Sequence, residues 1–262
     1  MLARFAISVV ISLVISLAAR RARALSVRGV IAATAVGTLA LLAGWNWGVL
    51  LLSYFASASA LSRLGAGQKS ARTASIIEKG GERDATQVAA NGGVFAFAAA
   101  LAVVAPGHAM SWAALGCAAL AASASDTWAT EVGTLIGGTP RSIIGFASIA
   151  PGMSGGVTPA GTLAAVAGAV FIAVIASVLG WPGRVALAAL VGGVAGSTID
   201  SVLGATLQTR RWCDRCERET ERVVHDCGAP TRRSRGLAWV SNDAVNFLCS
   251  AVAGLLALMI TG

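Results

Sequence analysis

Two aspartates stand in apolar sequence, each three residues after a serine: Ser123-x-x-Asp126 and Ser197-x-x-Asp200. An ionised side chain inside a hydrophobic span costs at least about 2.5 kcal/mol unless something compensates it, so each needs a partner or a function. Two carboxylates with few other polar groups suit Mg²⁺, which takes one or two protein carboxylates plus substrate phosphates. Glu131 follows Asp126 closely and reaches the same ion if the chain turns after Trp128. Asn242, Asp243 and Asn246 open the last apolar run, with Asn242 and Asn246 one helical turn apart. Structural duties compete with these roles: a helix-end carboxylate for Asp126, an intramembrane hydrogen bond to Asn or Ser for Asp200.

A phosphate-bearing ligand is the natural companion of such an ion. The turn PGMSGGVTPAG supplies Ser154, Gly155 and Gly156 just before Thr158-Pro159, an N-cap followed by a first-turn proline. Backbone N–H groups in such a turn can cradle an anion at a positive helix end. Arg141 precedes it, and Ser197 shares a helix face with Asp200. Lys69, Arg72, Lys79 and Arg83 can clamp phosphate oxygens, with Gln87 and Asn91 lining the site one turn apart. A polar tie between helices is the competing duty for Asn91.

A second cluster has different chemistry. Cys213-x-x-Cys216, then His225 and Cys227, place four soft ligands in one short loop, a set that favours tetrahedral Zn²⁺. Four protein ligands leave no open position, so this zinc is a structural clip. Free or redox-active thiols are the alternative. Cys117 and Cys249 lie in apolar spans and read as packing residues.

The elements that must carry these groups follow from composition. The chain has 262 residues, of which 56% are hydrophobic and only 12% charged, with a mean hydropathy of +0.74. Soluble domains carry roughly 25% charged residues, so this is an all-α, polytopic membrane protein. Eight apolar stretches are long enough for membrane helices: 1–19, 29–44, 46–62, 87–105, 110–125, 161–180, 185–207 and 237–261. They interleave with polar loops throughout, which gives one membrane domain over 1–262 with a Cys/His-containing loop at 208–236. The first stretch is expected to be a retained helix, since its basic flank follows it.

All Lys and Arg except Arg4 and Arg184 fall in the loops 20–28, 63–86, 126–160 and 208–236. The positive-inside rule then puts both termini outside and every charged loop in the cytoplasm, in the cell's inner membrane. A net charge of +8 reads as topology and contact with anionic lipid. Aromatic residues make up only 6% and lie in or beside the spans, so a nucleic-acid partner is not expected.

The run QVAANGG, SDTWATEVG, PGMSGGVTPAG, GSTIDSVLGATLQ and SNDAVNF, in that order over 87–246, resembles the transmembrane-protein-19-like integral membrane family, which includes plastid phytyl-phosphate kinases. The resemblance implies a CTP-dependent kinase that converts a prenyl monophosphate to a diphosphate. The shared polar residues carry over to Asn91, Asp126, Glu131, Ser154, Asp200, Asn242, Asp243 and Asn246. The implied partners are a prenyl-phosphate lipid, a nucleotide and membrane lipids; oligomeric state is left open. A cytidylyltransferase-type lipid enzyme would use the same site. A transporter or flippase of a phosphorylated prenyl lipid is the rival from another class, although polar groups confined to one face count against it.

Overall fold

From Ala113 to Ser125 every residue is Ala, Ser, Gly, Cys or Leu, and every one is buried. In a membrane such small residues let helix backbones approach, and this stretch becomes the axis of the molecule. The computed structural model describes residues 2–78 and 80–261. In chain order the helices are α1 (Leu2–Arg21), α2 (Val27–Ala43), α3 (Trp45–Arg63), α4 (Ala66–Thr73) and α5 (Ala85–Val104). A 3₁₀ turn precedes α6 (Ala109–Ile136), and α7 (Pro159–Val178), α8 (Gly183–Thr206) and α9 (Asn242–Thr261) follow. Helices α5, α7, α8 and α9 surround α6, while α1 packs on α2, α2 on α5, and α3 on α2 and α6.

Eight of these helices coincide with the eight expected stretches. By length and apolarity, α1, α5, α7, α8 and α9 can each cross a membrane, and α3 with α4 makes a sixth candidate bent by 73°. Helix α2 is shorter, at 17 residues. Helix α6 is less apolar because protein, not lipid, covers its middle. The molecule is a polytopic α-helical membrane protein.

Two boundaries differ from expectation in ways that matter. Helix α6 does not end at 125 but continues through Asp126 and Glu131 to Ile136. No glycine or proline stands between Ser125 and Gly133, and Gly137 at φ 83° ends the helix. The last helix starts at Asn242 instead of 237, with the Ser241 hydroxyl accepting the Ala244 N–H at 3.3 Å. The start of α7 is where the sequence places it, whereas the cap of α5 takes up Gln87, expected instead to line the ligand site. Thr158 caps α7 ahead of Pro159, and Asp84 with Gln87 forms a capping box on α5.

The polar loops gather at one end of the bundle. There β1 (Arg141–Ser142) pairs with β2 (Gly156–Val157), and the 208–236 loop folds into a sheet of β3 (Arg210–Cys213), β4 (Arg218–Thr220) and β5 (Arg232–Arg235) in the order β4-β3-β5. An all-α reading holds for the bundle but misses this small antiparallel sheet. It is bound to its neighbours: the Thr220 hydroxyl donates to Ser75 O at 2.7 Å, Glu221 N to Ile76 O at 3.0 Å and Arg222 Nη1 to Ala74 O at 2.9 Å.

Candidate functional site

The site is set by how closely α8 meets α6. A Cβ added at Gly196 would lie 2.4 Å from the Ala122 Cβ, so only glycine permits this crossing. One turn further along each helix stand Asp200 and Asp126. Their side chains are close neighbours, with Cys249 of α9 beside Asp200. Asn91, Ser123, Asn246 and Ser250 complete a small cavity around them. Ser123 Oγ donates to Asn91 O at 2.9 Å and lies 3.0 Å from Ser250 Oγ, tying α6 to α5 and α9.

The cavity's hydrogen bonding is incomplete in a particular way. Asp200 Oδ2 and Asn246 Oδ1 are buried and accept no hydrogen bond. Both are acceptors, and both residues line the cavity that also holds Asp126. Two ionised carboxylates in contact repel strongly at low dielectric. A hard cation satisfies the two orphan oxygens and neutralises the pair, so the donor set fits Mg²⁺.

Glu131 does not belong to this group. Since α6 stays helical past Trp128, Glu131 points to another face, where it accepts from Ser62 Oγ at 2.6 Å and pairs with Lys69. Lys69 also donates to Leu61 O at 2.6 Å and Ser62 O at 3.0 Å and is buried. Arg72 Nη1 caps the end of α6 through Thr134 O at 2.6 Å and Leu135 O at 2.8 Å. Both cations are engaged by acceptors of the protein itself. Arg141 is exposed and bonds Phe146 O at 3.1 Å. Lys79 lies outside the described residues. Arg83 donates to Ser59 Oγ at 3.1 Å and stacks over Phe55.

The glycine-rich turn is arranged differently from a phosphate cradle. Ser154 N donates to Glu221 Oε1 at 2.8 Å, Met153 N to Ala150 O at 3.1 Å and Gly156 N to Met153 O at 3.2 Å. A carboxylate of the β4 loop therefore holds the anion position. Gly155, at φ 82°, brings its backbone against Ala205 of α8, where an added Cβ would be 2.5 Å from Ala205 N. Burial raises the Glu221 carboxyl above its ordinary range, partly offset by the Ser154 hydrogen bonds. Gln87 is spent on the capping box, and Asn91 Nδ2 donates to Gln87 O at 3.0 Å. Ser197 is buried in α8; Asn242 is exposed at the start of α9, and Asp243 accepts from Thr86 Oγ1 at 3.0 Å. Sequence reasoning missed Glu221 and Gln208, whose polarity in a polar loop gives no sign of burial, and took Cys249 for packing alone.

The Cys/His loop does converge. The ligand atoms of Cys213, Cys216, His225 and Cys227 all lie within 4.8 Å of one another. Cys213 Sγ and Cys227 Sγ are 3.7 Å apart, far beyond a disulfide of about 2.05 Å. It is close to the tetrahedral edge of about 3.8 Å implied by Zn–S bonds of about 2.3 Å. His225 Nδ1 lies 2.7 Å from Asp226 Oδ1, while its Nε2 is buried without a partner. A carboxylate on one imidazole nitrogen and a metal on the other is the usual arrangement at zinc. Backbone bonding from Ala229, aided by His225, pulls Cys227 down to about 6, and sharing with Cys227 pushes Cys216 up to about 11.

Fold and site together define an α-helical integral membrane protein with a half-buried carboxylate pair near its charged end. The chain belongs to the family described as integral membrane protein DUF92, whose family model matches residues 10–254. It is 30% identical to Protein PGR of Arabidopsis thaliana over 97% of this chain and 94% of that protein. It is 33% identical to an uncharacterized membrane protein of Methanocaldococcus jannaschii, covering 80% of this chain and 85% of the relative. An uncharacterized membrane protein of a Synechocystis strain is also 33% identical, over 64% and 65% of the two chains. No solved structure matches.

Proposed function

We propose that this chain is a prenyl-phosphate kinase of the inner membrane, with Asp126 and Asp200 holding Mg²⁺ at a phosphoryl-transfer site. The observation that carries the reading is the carboxylate pair with two unpartnered acceptor oxygens, Asp200 Oδ2 and Asn246 Oδ1. The distribution of Lys and Arg puts the charged end, and so the nucleotide, on the cytoplasmic side. The resemblance to a family that includes phytyl-phosphate kinases supplies CTP as donor and a prenyl monophosphate as acceptor.

Phosphoryl transfer asks a protein chiefly for positioning and charge neutralisation. A phosphate oxygen of the acceptor attacks the γ-phosphorus of the nucleotide, the bond to the bridging oxygen breaks, and the nucleoside diphosphate leaves. The acceptor is already an anion, so no general base is needed. Asp126 and Asp200 would hold Mg²⁺, which when bound would supply neutralisation of the phosphate charge. The protein's own part is to hold Asp126, Asp200 and Asn246 in one arrangement through the Gly196–Ala122 crossing. The Cys/His cluster is proposed to bind structural Zn²⁺ and hold the sheet that fastens the loops.

The test is turnover by purified protein in detergent with geranylgeranyl or phytyl monophosphate, Mg²⁺ and each of CTP, ATP, GTP and UTP. Diphosphate formation from one preferred nucleotide, reduced at least about 100-fold in Asp126→Asn and Asp200→Asn, is the expected result. Release of pyrophosphate with a nucleotide-linked lipid would instead identify a cytidylyltransferase. No nucleotide consumption at all would sink both enzyme readings.

A further inference from the structure

A second cavity lies beside the carboxylate pair, within the N-terminal helices. Helix α1 packs on α2 and α3 packs on α2 and α6, and the space left between α1, α2, α3 and α5 has a volume of ≈ 830 Å³, its open side included. Its walls are apolar along most of their length, with Ala33 and Leu41 on α2 and Leu52 and Phe55 on α3. Ile15 and Leu52 line it and are also 38% and 43% exposed, so it opens sideways to the bilayer. One end is different. Arg83, just ahead of α5, reaches into it, with Gln87 and Asn91 on the next turns.

Three observations connect this chamber to Asp126 and Asp200. Asn91 lines both cavities and is the wall between them. Tyr54 lines the chamber and sits within electrostatic range of both Arg83 and Asp126. Among the described residues, the Arg83 guanidinium has no carboxylate partner: its one side-chain hydrogen bond is to Ser59, which leaves most of its N–H donors for an anion. A cation at the membrane edge, above a lipid-facing apolar chamber, suits an amphiphile with a phosphate head. A chamber lined by apolar side chains in the gap between four helices suits one hydrocarbon chain.

We propose that this chamber binds a single-chain lipid monophosphate, with the phosphate on Arg83 and the chain running past Ala33 toward Leu41. The identification of that lipid as the isoprenoid acceptor rests on the kinase reading; the binding site itself does not. Asn91 lines both this chamber and the cavity of the carboxylate pair, which places the head group beside the site of transfer.

The experiment is equilibrium binding of radiolabelled geranylgeranyl monophosphate to the full-length protein in detergent, without nucleotide. Arg83→Gln is expected to weaken binding by about tenfold or more, through loss of the charge-assisted bonds. Ala33→Phe fills the chamber part-way along and is expected to weaken geranylgeranyl monophosphate by a similar factor, while dimethylallyl monophosphate binds as to wild type. That chain-length split is a readout that general damage to the fold would not produce. Unchanged affinity in both variants, or equally tight binding of a diacyl phosphatidate, would overturn the proposal. Tight, variant-sensitive binding with no phosphorylation by any nucleotide keeps the chamber and removes the kinase. Wild-type affinity and turnover in both variants does the reverse.

Discussion

The backbone N–H of Ser154 donates to the Glu221 carboxylate at 2.8 Å, joining two loops that are far apart in the chain. Gln208 Nε2 donates to the same carboxylate at 3.0 Å, and Arg210 Nη2 returns a bond to Ser154 O at 2.9 Å. The glycine-rich turn thus receives its anion from within the protein. Its work is to seat the β4 loop against α8.

That contact has a pH signature. Burial raises the folded Glu221 carboxyl above its unfolded value of about 4.3. The folded state therefore holds this proton more tightly than the unfolded state. The stabilising contribution is present below the unfolded value and is lost as pH rises through the folded one. Glu221→Gln keeps an acceptor for Ser154, so its melting temperature relative to wild type should rise as pH is taken upward through that window. Glu221→Ala removes the acceptor and should cost about 1–3 kcal/mol at pH 7. Thermal unfolding across pH checks both, and a pH-independent gap between wild type and Glu221→Gln would refute the assignment.

Lys69 and Glu131 make a structural pair, and their mutants should behave as one. Lys69→Ala strands a partly buried carboxylate and is expected to destabilise the protein by about 3–5 kcal/mol. Lys69→Met with Glu131→Leu removes both charges and should recover most of that loss. Divalent-ion affinity in the double mutant is expected to match wild type, because the pair lies on a different face of α6 from Asp126. A loss of Mg²⁺ affinity in the double mutant would return Glu131 to the metal site.

Metal analysis of the purified protein should find about one zinc per chain, and none in Cys213→Ser. Chelation is expected to loosen the β4-β3-β5 sheet. Thr220, Glu221 and Arg222 bond to the backbone of 75–77 and 74, and Glu221 also holds Ser154, so both neighbouring loops should become sensitive to protease together. The bundle should keep its helical content. Absence of zinc, or proteolysis confined to 213–227, would show that the clip does not hold these loops.

The helices were legible because a membrane span needs length and apolarity, and little else can read that way. The Asp126–Asp200 cavity was legible for a related reason: an acid among apolar residues at the charged end of a span stands out. The cations misled. Lys69 and Arg72 look like phosphate ligands in a list of residues, yet helix ends and buried carboxylates need cations as well, and that need shows only when α4 folds back on α6. Glu131 was misplaced by a single assumption, that α6 turns at Trp128. The chamber at Arg83 has no sequence signature, since it arises from gaps between helices and not from any residue type.

Asn246 is the position where the metal reading of the central site is most exposed to test. Its Oδ1 is buried without a donor and shares the cavity with both carboxylates, which is the position of a third oxygen ligand. Asn246→Leu removes that oxygen while filling similar space, and it should weaken divalent-ion binding by about 10–100-fold. Asn246→Asp adds a charge and should retain or tighten it. Mn²⁺ titration followed by electron paramagnetic resonance reads the affinity directly, without nucleotide or lipid. If Asn246→Leu binds Mn²⁺ as wild type does while Asp200→Asn does not, the ion uses the carboxylates alone and Asn246 belongs to the packing of α9. If neither substitution changes the affinity, the cavity is not a cation site, and the two carboxyls must share a proton instead.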